Sequence, residues 1–283
     1  MTASTPPRSE PRIHLDSTAH LMSSIGSRLA DRLRLVPPPV RRPAPPALVL
    51  VAHGSRDPHA LTTVTTLMER VRELRPGLPV SLGHIELNEP LLPDTLAALG
   101  DTPAVLVPLL LGRGHHVKHD IPGVAAGAPV RARVAPPLGP HPLLAEALYD
   151  RLLEAGWPTS PDDSVRRGSA VVLAAAGSRD PDSAADTRRT AGLLATRLGV
   201  PVLPAYAAAA TPTIPTALRT LAAKGRHRVA IASYFTAPGR FATQCAQAAP
   251  WIASAPLGDH PAMARLVVNR YEQGLAARGA KAA

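Results

Sequence analysis

The sequence is short of the residues that most often announce a function. It has one cysteine, Cys245, so no disulfide can form within the chain and no set of thiolate metal ligands can be assembled. Aromatic residues are only 3% of the total, which leaves Ala, Val and Leu to fill the core. No run of about 18 apolar residues occurs, and no apolar stretch follows Met1, so neither a membrane span nor a secretory leader is expected and the chain reads as cytoplasmic. No Gly-x-x-x-x-Gly-Lys-Ser/Thr loop is present, which argues against a nucleotide requirement. Acidic side chains are outnumbered, and the formal charge is +10. That balance suits an acidic partner, but no basic stretch is interleaved with aromatics, so nucleic acid is not expected.

What is there is an alternating pattern. The chain has 283 residues, 45% of them hydrophobic, enough for one or two packed domains. Residues 1–46 stand apart: their proline density opposes regular structure, and they read as a disordered extension with room for one helix over 21–35. From Ala47 the apolar run Ala47–Ala52 suits a buried strand, and Leu61, Val64, Leu67, Val71 and Leu74 recur at helical spacing. Strands then fit 80–85, 104–111 and 130–135, with helices over 91–99, 121–126 and 142–155. Strict alternation implies a parallel sheet with right-handed crossovers and helices on both faces. Residues 157–169 read as a linker, after which the pattern restarts.

The restart is an internal repeat. Gly54-Ser55-Arg56-Asp57-Pro58 recurs as Gly177-Ser178-Arg179-Asp180-Pro181, Pro90-Leu91-Leu92-Pro93 as Pro212-Thr213-Ile214-Pro215, and Pro137 to Pro142 as Pro256 to Pro261, at near-constant offsets of 119 to 123 residues. Common order and spacing point to two copies of one α/β unit.

Ligands in open α/β sheets bind beyond the carboxyl ends of the strands. In the first copy those ends carry His53, Glu86, and the loop Gly112-Arg113-Gly114-His115-His116-Val117-Lys118-His119-Asp120. In the second copy His53 is replaced by Ala176, Glu86 by Ala208, and His116 by Phe241. The scaffold residues persist while the ionisable ones do not. Arg56, Asp57, Ser55 and His141 all persist, as Arg179, Asp180, Ser178 and His260, so the first three read as turn residues and His141 as structural. His115 and His119 read as exposed loop histidines, and Cys245 as a small core residue.

The segments His53-Gly54-Ser55-Arg56-Asp57, His84-Ile85-Glu86-Leu87-Asn88-Glu89-Pro90 and Gly114-His115-His116-Val117-Lys118-His119-Asp120-Ile121-Pro122 resemble the sirohydrochlorin chelatase family of class II, ATP-independent chelatases. The resemblance implies two tandem doubly wound domains of chelatase-like fold facing each other across a cleft and related by a pseudo-twofold. It implies a catalytic domain over 47–156 and a degenerate one over 170–279. The implied activity is insertion of Fe2+ or Co2+, as substrate, into sirohydrochlorin on the way to sirohaem or cobalamin, with no permanently bound cofactor. His53, His116 and Glu86 would hold the metal and take the pyrrole protons, since neutral imidazole is both a ligand and a base. Arg56, Arg113 and Lys118, in the same loops, would meet the carboxylates of the macrocycle. The expected oligomeric state is a monomer or a homodimer. Two other readings stay open: a non-catalytic tetrapyrrole- or metal-binding protein, and an unrelated hydrolase with Ser55 as nucleophile.

Overall fold

The computed structural model describes Met22 and residues 25–29, 44–160 and 162–277. The chain divides into Met1–Ala44 and one compact unit, Pro45–Ala283. Met22 and residues 25–29 are helical and exposed, within the span where the sequence allows a helix; of the extension expected over 1–46, residues 44–46 are described without regular structure, and the rest lies outside the described residues. Everything that follows concerns the second unit.

The first half runs β1 (Ala47–Ala52), α1 (Pro58–Leu74), β2 (Val80–His84), α2 (Leu92–Ala97), β3 (Ala104–Pro108), a wide helical turn (His116–Asp120) leading into α3 (Ile121–Gly127), β4 (Ala132–Val134) and α4 (Pro142–Glu154). A short helix α5 (Asp163–Gly168) follows, within the stretch that reads as linker, its first turn held by the Asp162 carboxylate accepting from Val165 N at 2.8 Å. The second half repeats the order: β5 (Ser169–Ala175), α6 (Pro181–Leu198), β6 (Val202–Tyr206), α7 (Ile214–Ala223), β7 (Arg228–Ser233), α8 (Arg240–Gln247) and α9 (Pro261–Ala276).

Both sheets are parallel. The first has the order β2-β1-β3-β4 and the second β6-β5-β7. Val49 sits opposite Ser81 on one side and Leu106 on the other, and Val172 likewise lies between Leu203 and Ile231. The fourth strand of the second sheet is reduced to a single parallel bridge, Ile231 to Ala253, the counterpart of Leu106 to Val134. The central strands β1 and β5 are buried along their whole length, as continuous apolar runs covered on both faces should be.

Alternate residues of each strand feed different cores, because side chains alternate across a strand. Val49, Val51, Leu96 and Ile121 pack on the outer face of the first sheet. Val172, Ile214 and Cys245 pack on the outer face of the second, where burial pushes the Cys245 thiol up. The inner faces share one core, in which Leu50, Leu148, Leu173, Met263 and Val267 meet.

The shared core comes from an exchange of helices that the linear pattern does not show. The last helix of each half packs onto the other half: α4 lies against α6 and β7, and α9 against α1 and β3, while α4 and α9 touch each other. Exchanging the halves maps this set of contacts onto itself, which is the pseudo-twofold relation. Tyr271 of α9 donates to the Pro46 carbonyl at 2.6 Å, and Arg270 to that of Leu138 at 2.9 Å. Gly274 is required where α9 meets the first sheet, since a Cβ there would run into Val105.

The persistent His141 and His260 are explained here. Each caps a crossing helix, the ring Nδ1 accepting from Leu143 N at 3.1 Å and from Ala262 N at 3.2 Å. A ring nitrogen can accept only while it is unprotonated. Burial, with Arg270 nearby, holds His141 below the ordinary imidazole range, and burial, with Arg151 nearby, does the same for His260. Among the described residues, no helix is long and apolar enough to cross a membrane.

Two outcomes are expected. Because one core serves both halves, Leu148→Ala should lower the stability of the whole unit by about 2–5 kcal/mol, in a single transition followed by chemical denaturation. Because the capping imidazoles are depressed, the unfolded chain binds more protons than the folded one between the two values. Stability should therefore be full above about pH 6.5 and fall as pH drops below it. His141→Asn with His260→Asn, which keeps a capping acceptor, should flatten that dependence in denaturant titrations across pH.

Candidate functional site

The site begins at the turn after β1. Gly54 has φ +98°, and a Cβ at this position would collide with the Glu86 carbonyl oxygen, so the turn needs glycine. Glu86 N donates to the His53 carbonyl at 3.1 Å, and Asn88 Oδ1 accepts from Ser55 N at 2.7 Å. The chain end of β2 is thereby fastened to that of β1. The second half builds the same turn: Gly177 has φ +94°, and Ala208 N donates to the Ala176 carbonyl at 3.0 Å. The matches of His53 with Ala176 and Glu86 with Ala208 are thus equivalences of backbone position.

The serines and aspartates at these turns act on the backbone. Ser55 Oγ accepts from Asp57 N, and Ser178 Oγ from Asp180 N, each at 3.1 Å. Asp57 and Asp180 then cap α1 and α6 by accepting from His59 N at 3.0 Å and Asp182 N at 2.9 Å. Among the described residues, no imidazole is hydrogen bonded to the Ser55 hydroxyl, and a hydrolase nucleophile would need one.

The loop after β3 contains structure that the sequence pattern left unassigned. Lys118 N donates to the Gly114 carbonyl at 3.0 Å, and Ile121 N reaches back five residues to the His116 carbonyl. The result is a π-type turn, a form that recurs at functional sites; Pro122, lacking an N–H, cannot make the next ordinary helical bond. Thr243 N donates to the Gly239 carbonyl at the same 3.0 Å in the second half. That fixes the pairing of His116 with Phe241 and also matches Asp120 with Cys245.

His53 and His116 converge. Their ring centroids are 4.9 Å apart, edge to face at 82°. The His116 Nδ1 lies 2.6 Å from Asp120 Oδ2; since a carboxylate only accepts, Nδ1 carries the proton and Nε2 keeps a free lone pair. His53 Nε2 is 3.4 Å from Glu86 Oε1, with both side chains about half exposed. Among the described residues, no three His, Cys, Asp or Glu side chains are grouped so as to hold a metal ion. The site offers two imidazole–carboxylate pairs side by side.

The second half anchors the histidine loop. Tyr234 OH donates to the Leu111 carbonyl at 3.0 Å. Buried Asp186 accepts from Arg113 N at 3.0 Å, Nε at 2.9 Å and Nη2 at 2.8 Å. Lys118 Nζ reaches Asp180 and Asp182, each at 2.9 Å. Burial alone would push the Asp186 carboxyl up, but the Arg113 bonds outweigh it and hold it below the usual carboxylate range. Arg113 and Lys118 are both pushed up by their carboxylate partners, Asp186 and the pair Asp180 and Asp182. Arg113 and Lys118, expected to meet substrate carboxylates, are each paired here with carboxylates of the second half. Arg56 differs: it is exposed and lines the cleft.

The cleft itself measures about 970 Å³. His53, Arg56 and His116 line it from the first half, and Tyr234, Arg240 and Phe241 from the second. His115 and His119, which read as ordinary loop histidines, stand in contact with each other, their ring centroids 4.9 Å apart. Sequence reasoning missed Asp120 as the partner of His116, although the spacing of four residues within one helical turn signals it. It also missed Asp186, Tyr234 and Asn88, whose sequence neighbourhoods carry no signal of their distant partners.

Two interlocked parallel α/β halves with a cleft between their strand ends define a chelatase-like fold. A family model described as CbiX matches twice, over residues 47–155 and 170–274, so the chain belongs to the CbiX family and holds two copies of its unit. SirB from Bacillus subtilis, solved with Fe3+, superposes with a TM-score of 0.65 at 27% identity, covering 82% of this chain and 97% of that one. The sirohydrochlorin ferrochelatase of Bacillus subtilis is 32% identical over 176 residues, which are 59% of this chain and 64% of that protein. The sirohydrochlorin cobaltochelatase of Methanococcus aeolicus is 38% identical over 81 residues, 28% of this chain. The chain matches only 57% of the length of that methanococcal relative.

Replacing Asp186 with Asn removes the charge that neutralises Arg113 inside the interface. A carboxyl held low in the folded state stabilises above the ordinary carboxylate range and ceases to as pH falls through its folded value. The acid-unfolding midpoint of Asp186→Asn should therefore lie at higher pH than that of the parent, as followed by circular dichroism.

Proposed function

We propose that this chain is a sirohydrochlorin chelatase, a lyase-type enzyme that inserts Fe2+ or Co2+ into sirohydrochlorin. The observation that carries the reading is the convergence of His53 and His116 in the cleft, each backed by a carboxylate. Family membership supports the reaction class, and the names of the relatives supply both metals without choosing between them.

Metal insertion has two requirements: a partly dehydrated ion must be delivered, and two pyrrole protons must leave. Two donors at about 2.1 Å from a tetrahedral ion lie about 3.4 Å apart. The separation of His53 Nε2 from Glu86 Oε1, 3.4 Å, has that span. His116 presents Nε2 as ligand or base, its tautomer fixed by Asp120. A ligand set of two or three protein groups holds the ion weakly enough to hand it over, unlike a closed four-ligand site. Each imidazole–carboxylate pair can accept one proton, the carboxylate stabilising the imidazolium that forms. Arg56 and Arg240, both exposed at the cleft, meet the peripheral carboxylates, while Phe241 and Tyr234 give the macrocycle an apolar wall. In this reading, residues 47–156 handle metal and protons, and residues 170–279 shape the cleft and fasten the loop. The reaction needs no membrane and no nucleotide, which suits a cytoplasmic enzyme.

The test is anaerobic metallation of sirohydrochlorin followed by its absorption change. His53→Ala and His116→Ala should each lower kcat by at least about 100-fold, and Asp120→Asn should lower it less. A parent rate no faster than the protein-free control, with sirohydrochlorin still bound, would leave the non-catalytic binding protein as the reading that survives.

A further inference from the structure

The backbone between Glu86 and Asn88 is strained. Asn88 N donates to the Glu86 carbonyl, two residues back, at 2.9 Å, and the central residue, Leu87, has φ +69°. A bond of that span around a positive φ marks the rarer, strained form of the γ-turn. The turn is pinned on both sides. The Glu86 carbonyl packs against Gly54, and Asn88 Oδ1 accepts from Ser55 N at 2.7 Å. Residue 87 is thereby held in the left-handed region, where glycine sits at no steric cost and a β-carbon is disfavoured.

The second half repeats this backbone but not the side chain. Ala209, at the matching position, has φ +56°. A Cβ on Gly177 would collide with the Ala208 carbonyl oxygen, as one on Gly54 would with that of Glu86. The positive φ therefore belongs to the scaffold. What differs is leucine against alanine, directly after the difference of Glu86 from Ala208.

A single exposed leucine is ordinary on a protein surface; Leu87 is set apart by where it lies. Among the described residues of the second unit, the exposed large apolar side chains are Leu61, Leu74, Leu87 and Leu193. Leu61 and Leu74 are on α1, and Leu193 is on α6. Of the four, Leu87 alone lines the cleft, where its exposure is 51%. Phe241 and Tyr234 line the same cleft from the second half.

We propose that Leu87 is a contact residue for the macrocycle. Its side chain seats on a face of the flat apolar ring system and keeps the pyrrole nitrogens within reach of His53 and of Glu86, its neighbour in the chain. Binding covers apolar surface that the free protein leaves in water, which favours the complex. The identity of the ligand rests on the chelatase reading; the strained turn and the leucine in the cleft do not depend on it.

Metal-free sirohydrochlorin is titrated anaerobically into the full chain and followed by its absorption. Leu87→Ala and Leu87→Gly should each raise its Kd about tenfold. Leu87→Met, which keeps a long apolar side chain, should hold the parent value. Stability separates the contact from the turn: Leu87→Gly should unfold at higher denaturant than Leu87→Ala, since glycine relieves the left-handed φ, although both bind equally weakly. In metallation assays with Co2+, the KM for sirohydrochlorin should rise with its Kd while the KM for Co2+ stays in place, because Leu87 offers the ion no donor atom. Unchanged affinity in Leu87→Ala and Leu87→Gly overturns the contact, and so does a loss shared by Leu87→Met. A parent that binds sirohydrochlorin without metallating it overturns the chelatase reading alone, and the Kd series still decides the role of Leu87. A parent that does not bind it overturns both.

Discussion

The buried carboxylate of Asp186 is the constraint around which the site is arranged. A charge inside the protein must be neutralised and hydrogen bonded, and here three donors of Arg113, one backbone and two guanidinium, converge on it from the other half. The loop that begins at Leu111 is thereby fixed at its root. Lys118, bound to Asp180 and Asp182, fixes it further along. His116 lies between these anchors, so its position relative to His53 is set by residues that touch neither ring.

This dependence gives the duplication a physical meaning. Were the halves independent domains, loss of ionisable residues in one would be decay. The exchanged helices α4 and α9 and the shared inner core make each half part of the other's fold. The second half keeps its turn glycine, capping aspartate and capping histidine because the backbone needs them. It carries Ala176, Ala208 and Phe241 where the first half has His53, Glu86 and His116, and Phe241 lines the cleft. Under the proposed reaction one macrocycle takes one metal, and one set of bases is sufficient.

Much of this was legible in the chain itself. Buried parallel strands follow from unbroken apolar runs such as Ala47–Ala52, and the helices from apolar spacing bounded by Asp57-Pro58 and Asp180-Pro181. The repeat made His53, Glu86 and His116 stand out, and the backbone bonds show that all three substitutions occur at equivalent positions. The partners of the cations were not legible. Arg113 and Lys118 sit in the right loop, but their partners are about 60 to 70 residues away in sequence, and no local pattern encodes such a pairing. Arg56 persisted as Arg179, which suggested a turn role; the hydrogen bonds at that turn come from Ser55, Asp57 and Asn88.

The sequence by itself determined the parallel α/β units, their duplication, the glycine turns and which ionisable residues differ between the copies, because these depend on local spacing and on one comparison within the chain. Only the tertiary structure decided which half each terminal helix packs against, which charges are already neutralised, and which histidines touch. Those outcomes are set by burial and by contacts between distant segments, where a carboxylate such as Asp186 takes whichever donors the folded backbone brings to it.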